Sequence, residues 1–311
     1  EDGRRDAQES RGLGDVYKRQ DQLRGKQKQV WGLLTPTLIL LIFLGVVPII
    51  YILYLSVYKY NVFSKVGMVY TGFNNFRKLV FDPDFLKSLR LGLTYVILCV
   101  AIELPLGLAF ANLLTYEYKG KGIFRTIMTL PLAMAPISIG AIWVLMTNPD
   151  FGPLAVYLRN IGIDFNIGNN ANQAFIATIL MDIWHWTPFV TLTFMAGLSS
   201  LPKQPFEAAL VDGATKSQTL RYITLPLLRP VLFTTLFIRI MDTFRVFDEV
   251  WMLTSGGPGT ATRYVSIHVV REVLQSMNYG YSSAMSLFLL YLTIVICWLL
   301  ITFINVSQES G

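Results

Sequence analysis

Glu207-Ala208-Ala209-Leu210-Val211-Asp212-Gly213-Ala214-Thr215-Lys216-Ser217-Gln218-Thr219-Leu220-Arg221-Tyr222-Ile223-Thr224-Leu225-Pro226 is a polar island between two long apolar runs. Its pattern is E-A-A-x3-G-x9-I-x-L-P. Pro205 suits the first turn of a helix, where a missing N–H is no loss, so a short helix is predicted over Phe206–Val211. Asp212-Gly213 ends it, because Gly takes a positive φ without a Cβ penalty. Thr215 and Gln218 have the T-x-x-Q spacing of a capping box, which predicts a second short helix. Pro226 and Pro230 are expected to end that helix and lead into the next apolar run. The segment 202–229 is therefore predicted to be helix, Gly turn and helix lying on a membrane surface. Ala208 and Ala209 let a partner approach closely, and Glu207 offers it one carboxylate for an Arg or Lys.

The surroundings of this island are apolar. The chain has 311 residues, 53% hydrophobic and 15% charged, against roughly 25% charged in an average soluble domain. A spanning helix needs about 20 mostly apolar residues. Six segments qualify, roughly 31–58, 89–114, 124–146, 174–201, 230–253 and 282–306. The fold class expected is thus an all-α membrane protein with six transmembrane helices. The two cysteines, Cys99 and Cys297, each sit inside an apolar run. They form neither a disulfide framework nor a metal-ligand pattern, so no metal site is expected.

The net charge of +6 does not point to nucleic acid, because eight of the 26 Lys and Arg precede residue 30, outside the apolar body. Residues 1–29 read as a disordered cytoplasmic tail or a sequence artefact. With the N-terminus inside, 15 basic residues fall in inner segments and nine in outer ones; without the tail the count is seven against nine. The tail therefore carries most of the positive-inside signal.

Ionisable residues within spanning segments mark a water-filled path or an internal pair. The fifth span carries Arg239, Asp242, Arg245, Asp248 and Glu249 at i,i+3 and i,i+4 spacings, which predicts one stripe of alternating charge. It could line a polar pathway or lock the helix to its neighbours. Phe247 and Trp251 could stack on a pyranose face or anchor the interface. Asp182 and His185 share a face of the fourth span, where a polar contact is expected rather than catalysis. Glu103 precedes Leu104-Pro105 and reads as one buried hydrogen bond beside a kink.

The pattern Glu207-Ala208-Ala209, Gly213, Ile223, Leu225 and Pro226 resembles the cytoplasmic EAA signature of ABC-importer permeases. The run Leu253-Thr254-Ser255-Gly256-Gly257-Pro258-Gly259 with Thr262 is similar to the L-T-x-G-G-P-G-x-x-T loop of the MalF-type permeases of carbohydrate importers. Trp184, Trp186, Thr187 and Pro188 fit the same pattern. The resemblance covers roughly 30–306, without the extra N-terminal spans and large periplasmic insertion of the maltose permease itself. It implies a type I importer permease fold, with a first helix and outer loop over 30–84, a core over 85–306 and a short tail over 307–311. It also implies coupling to an ATPase through Glu207, Ala208, Ala209, Gly213, Ile223, Leu225 and Pro226.

The function implied is half of the translocation pathway of an ATP-driven sugar importer in a bacterial or archaeal inner membrane, with both termini cytoplasmic. The partners implied are a second permease, a cytoplasmic ATP-binding subunit dimer, an extracytoplasmic solute-binding protein, a sugar and the lipid bilayer. The chain has no G-x-x-x-x-G-K-[ST] loop, so ATP and Mg are expected on the partner ATPase and no cofactor in this chain. Two alternatives stand beside this reading. One is the same architecture serving an amino acid, phosphate or polyamine. The other is an intramembrane enzyme built on Asp182 and His185.

Overall fold

The computed structural model describes residues 30–309. The expectations for residues 1–29 and for the last two positions lie outside the described residues. The chain divides into two compact units between Leu55 and Ser56.

The described residues of the first unit all lie in the helix α1, Val30–Ser56, whose last residue opens the second unit; α1 is apolar and exposed along most of its length.

The second unit opens on an antiparallel pair, β1 Tyr58–Lys59 and β2 Val69–Tyr70, with Tyr58 opposite Tyr70. Then come α2 Asn74–Phe81, α3 Pro83–Thr115, α4 Lys121–Thr129, α5 Pro136–Met146, α6 Pro153–Asn160, α7 Ala171–Ser199 and α8 Gln204–Val211. The chain continues with α9 Lys216–Thr219, α10 Leu225–Phe244, α11 Asp248–Thr254, α12 Val265–Leu274 and α13 Tyr279–Glu309. Among the described residues, five helical stretches are long and apolar enough to cross a membrane: α1, α3, α7, Lys216–Phe244 and Tyr279–Thr302. Helix α7 is the most enclosed, with 56% of its apolar window buried against 11% for that of α13. It packs most extensively on α3. Gly107 permits the close approach, because a Cβ there would meet the Val190 side chain; small residues let membrane helices pack backbone to backbone.

Two of the six expected spans are broken. The third is not one helix over 124–146. It is α4, a 3-10 turn at Pro131–Ala133 and then α5. Pro136 forces Ala135 out of the helical region, to φ −66 and ψ 139, as a following Pro does. The fifth expected span, 230–253, breaks after α10, where Phe247 adopts φ −141 and ψ −66 before α11 begins. The single charge stripe anticipated from Arg239 to Glu249 is thereby cut, and Asp248 and Glu249 belong to a separate short helix.

Pro226 and Pro230 do not end the second short helix of the loop. Helix α9 runs through a π turn, Leu220–Thr224, directly into α10. The Leu225 N–H donates to the Leu220 carbonyl, five residues back. Widening the turn in this way makes room for the Pro226 ring, which would clash with the carbonyl four residues earlier in a regular helix.

Candidate functional sites: a surface loop and a buried charge cluster

The loop after α7 has the local structure that its residues predict. Pro205 lies in the first turn of α8. Gly213 ends α8 at φ +70, with the Ala214 N–H donating to Ala209 O at 2.9 Å and the Gly213 N–H to Leu210 O at 3.2 Å. This pair of bonds is a Schellman closure, which needs a left-handed residue at the turn. Thr215 then caps α9: its Oγ1 accepts from the Gln218 N–H at 3.3 Å, and Gln218 Oε1 accepts from the Thr215 N–H at 2.8 Å. Between α8 and the α9–π turn lies a hollow of about 470 Å³, lined by Ala208, Ala209, Gly213, Ile223 and Tyr222 among others. Glu207 and Ala208 are exposed while Ala209 is buried. Leu225 and Pro226 are half-buried where α10 begins. Leu210 and Val211 are 80% and 87% exposed, and Tyr222 is 69% exposed. Tyr222 lines this hollow, while Leu210 and Glu207 line a neighbouring one.

The second site is a buried cluster of charge. Arg239 of α10 donates from Nε to Glu103 Oε2 at 2.7 Å and from Nη2 to Glu103 Oε1 at 2.9 Å. Nη2 also donates to Asp182 Oδ2 at 2.8 Å, and Nη1 to Asp242 Oδ2 at 3.3 Å. The Arg239 guanidinium lies 4.7 Å over the Trp186 ring. One planar fork thus ties α3, α7 and α10 together, the geometry for which Arg is suited and Lys is not. Glu103 is not the isolated kink-side hydrogen bond that its context suggests. It is the bidentate partner of Arg239, and nothing local in the sequence marks a pair separated by 136 positions.

Asp182 and His185 share a helix face but turn to different partners. Asp182 pairs with Arg239, while His185 Nδ1 and Glu249 Oε2 form a 2.7 Å contact. Arg245 lies 3.8 Å from Asp242. Among the described residues no group of three or more His, Cys, Asp or Glu is placed to hold a metal ion.

A cleft of about 260 Å³ opens beside this cluster, lined by Pro136, Asp182, Trp186, Asp242, Thr243, Arg245 to Asp248 and Glu249. It lies where both broken spans break. Non-helical backbone at membrane depth is tolerated where it is enclosed by protein or lines a cavity. Of the seven residues anticipated for a pathway, six line this cleft or the ion network at its wall, and His185 contacts it through Glu249. The Gly-rich loop after α11 is braced from within: Thr254 Oγ1 and Thr262 Oγ1 lie 2.7 Å apart, and Thr262 Oγ1 donates to Gly257 O at 2.9 Å. Both threonines of the L-T-x-G-G-P-G-x-x-T pattern therefore hold the loop closed on itself.

This arrangement, long apolar helices around a polar cleft with an exposed helical turn between two spans, is that of a membrane permease. The chain belongs to the family described as binding-protein-dependent transport system inner membrane component, whose profile matches residues 103–309. It is 36% identical over 233 residues to the trehalose/maltose transport system permease MalF of Thermococcus litoralis, covering 74% of this chain and 79% of that one. It is 31% identical to the sn-glycerol-3-phosphate transport system permease UgpA of Agrobacterium fabrum, over 90% of this chain and 95% of that one. The fold matches a subunit of a bacterial ABC transporter involved in the import of alginate, with a TM-score of 0.79 at 24% identity over 90% of this chain and 96% of that one. The protein is a membrane-embedded permease subunit with the type I ABC importer fold.

Proposed function

We propose that this permease forms half of the translocation pathway of an ATP-driven sugar importer. A second permease supplies the other half. A separate ATPase dimer binds ATP and Mg and grips the loop 202–229 through Glu207, Ala208, Ala209, Gly213, Ile223, Leu225 and Pro226. An extracytoplasmic binding protein delivers the cargo, and both termini lie in the cytoplasm of a bacterial or archaeal cell. The surface between α8 and the π turn carries this reading: a hollow lined by Ala208, Ala209, Gly213 and the exposed Tyr222, with the Asp212 carboxylate in its wall, and on the same short helix the exposed Glu207, Leu210 and Val211. The names of the relatives, trehalose/maltose and sn-glycerol-3-phosphate permeases, support cargo of the carbohydrate class. The charge cluster and cleft, with Asp182, His185, Arg239, Asp242, Arg245, Asp248 and Glu249, form the polar part of the pathway.

The mechanism follows from the connections of the loop. Helix α9 and α10 are continuous through the π turn, so a push on the hollow is passed along α10 to Arg239 and the cleft. Closure of the ATPase dimer would bias a two-state change of the pathway at a distance. The test is Gly213→Pro in the assembled transporter. Pro fixes φ near −65°, incompatible with the +70° that the turn uses. The expected result is ATP hydrolysis without sugar uptake. Normal uptake by this variant would remove the coupling role.

A further inference from the structure

Helix α8 has a hollow on each of two opposite faces. Ala208, Ala209 and Asp212 turn to the one beside the π turn, while Phe206, Glu207 and Leu210 turn the other way, into a separate cavity of about 1000 Å³. That volume is at the top of the roughly 300–1,000 Å³ range of small-molecule sites. The cavity reaches from apolar wall at the ends of two spans, Leu114 of α3 with Met195 and Leu198 of α7, to three cations, Lys121, Arg125 and Lys203. Three of the seven basic residues counted in inner segments beyond the tail therefore border one cavity, whose lining holds a single carboxylate, Glu207. Lys121 meets the exposed Glu117 at 2.7 Å. Arg125 and Lys203 have no ion-pair partner among the described residues. Lys121 and Arg125, four positions apart, share the face of α4 that is turned to the cavity. Ile123 and Ile127, on the opposite face, are 69% and 62% exposed, and no residue of α4 is buried. Cations on one side and open isoleucines on the other are the pattern of a helix lying in a membrane interface.

Resting on the cytoplasmic placement proposed above for the loop 202–229, we infer that this cavity holds the headgroup and upper acyl chain of one anionic phospholipid of the inner leaflet. Arg125 and Lys203 receive the phosphate, and Leu114, Met195 and Leu198 receive the chain. Basic pockets between spanning helices on the cytoplasmic side select anionic headgroups, and each Lys or Arg near the surface strengthens the attraction about fivefold. Ile123 and Ile127 sit in the surrounding lipid, so α4 forms one wall of the cavity at headgroup depth. Seated there, the lipid backs α8 on the face opposite its small residues and becomes a support for the loop.

The experiment is a titration of the assembled transporter, delipidated in a nonionic detergent, with dioleoyl phosphatidylglycerol or dioleoyl phosphatidylethanolamine, read by native mass spectrometry. The expected result is retained phosphatidylglycerol, bound at least about fivefold more tightly than the zwitterionic lipid. The double variant Arg125→Gln, Lys203→Gln, at two exposed positions, is expected to weaken that binding roughly 25-fold, fivefold for each cation. Ala196→Trp, at an exposed position in the cavity wall, is expected to weaken it with every cation in place. The double variant Lys216→Gln, Arg221→Gln removes as many charges near the same surface but none from the cavity, and is expected to bind the lipid as the parent does. Equal weakening by the two double variants, or equal retention of the two lipids, overturns the site. Displacement of phosphatidylglycerol by millimolar inorganic phosphate assigns the cavity to a soluble anion and overturns the lipid. A crosslink from Arg125→Cys to the ATPase or the second permease, with no lipid retained, gives the cavity to that subunit and overturns it as well. Each of these failures leaves sugar uptake by the parent, and with it the importer reading, untouched. Labelling of Ser217→Cys from outside intact cells overturns the cytoplasmic placement instead.

Discussion

Arg239 is fully buried yet holds three carboxylates through four hydrogen bonds of 3.3 Å or less. Burying a charge is tolerable when every donor finds an ionised partner, and removing one member strands the others. Arg239→Leu is therefore expected to cost about 3–5 kcal/mol, as for other broken buried pairs, seen as loss of monodisperse protein in detergent. Arg239→Lys, which cannot bridge Glu103 bidentately while reaching Asp182, is expected to rescue little of it. Equal thermal stability of Arg239→Leu and the parent would contradict the network. Gly213 poses the opposite case. No atom lies within 4 Å of a Cβ built there, so the demand is on backbone conformation alone, at φ +70. Gly213→Ala should then cost only the left-handed penalty of about 1–2 kcal/mol and keep partial uptake, where Gly213→Pro abolishes it.

Outside the spanning helices, His268 of α12 titrates in a constrained setting. Burial lowers its pKa first, the Arg263 charge lowers it further with Arg271, and Asp82 and Asp84 work in the other direction. The neutral ring lies 2.7 Å from Ser88 Oγ of α3. A folded pKa below the unfolded value of about 6.5 means that this contribution is present above that pH and is lost as pH falls through the folded pKa. Acidification to about pH 5 should therefore lower the melting temperature, and His268→Gln should flatten that dependence. An unchanged pH profile in His268→Gln would show that other groups control it. At the same scale of elements, the capping box ties α9 to the turn before it. Thr215→Ala removes the acceptor for the Gln218 N–H and is expected to cost about 1 kcal/mol. Because α9 feeds into α10, the sensitive readout is a fall in uptake per ATP hydrolysed rather than a fall in expression.

Across the whole molecule, the readings of the loops and of the spans stand or fall together through topology. With Cys99 and Cys297 replaced, Lys65→Cys in the loop before β2 is expected to react with an impermeant maleimide in intact cells. Ser217→Cys in α9 should react only after permeabilisation. The reverse pattern would place the loop 202–229 on the wrong side for any cytoplasmic ATPase. Two breaks in otherwise long apolar helices give this molecule its interior. An unbroken third and fifth span would bury the backbone fully and leave no place for irregular chain at membrane depth. Instead, Pro136 at the start of α5 and the turn at Arg245–Phe247 converge on the same cleft.

The local chemistry of the loop was legible from its residues. The prolyl first turn, the left-handed Gly213 and the Thr215–Gln218 box are decided within four positions along the chain, and the structure shows each. Long apolar runs likewise announced spanning helices, since length and hydropathy are additive properties of a segment. What the sequence could not determine was which charges meet. Helical spacing pairs Arg239 with Asp242, and that contact exists at 3.3 Å. The same spacing also joins Arg245 to Asp248 and Glu249, which a break in the helix separates. Glu103 and Asp182 reach Arg239 only because α3, α7 and α10 pack side by side. Proline near a span was equally ambiguous: Pro136 starts a new helix, whereas Pro226 and Pro230 are absorbed by a π turn and a continuous α10. Packing among distant segments, not propensity within one, settles where a costly buried charge finds its partners and where a helix can afford to stop.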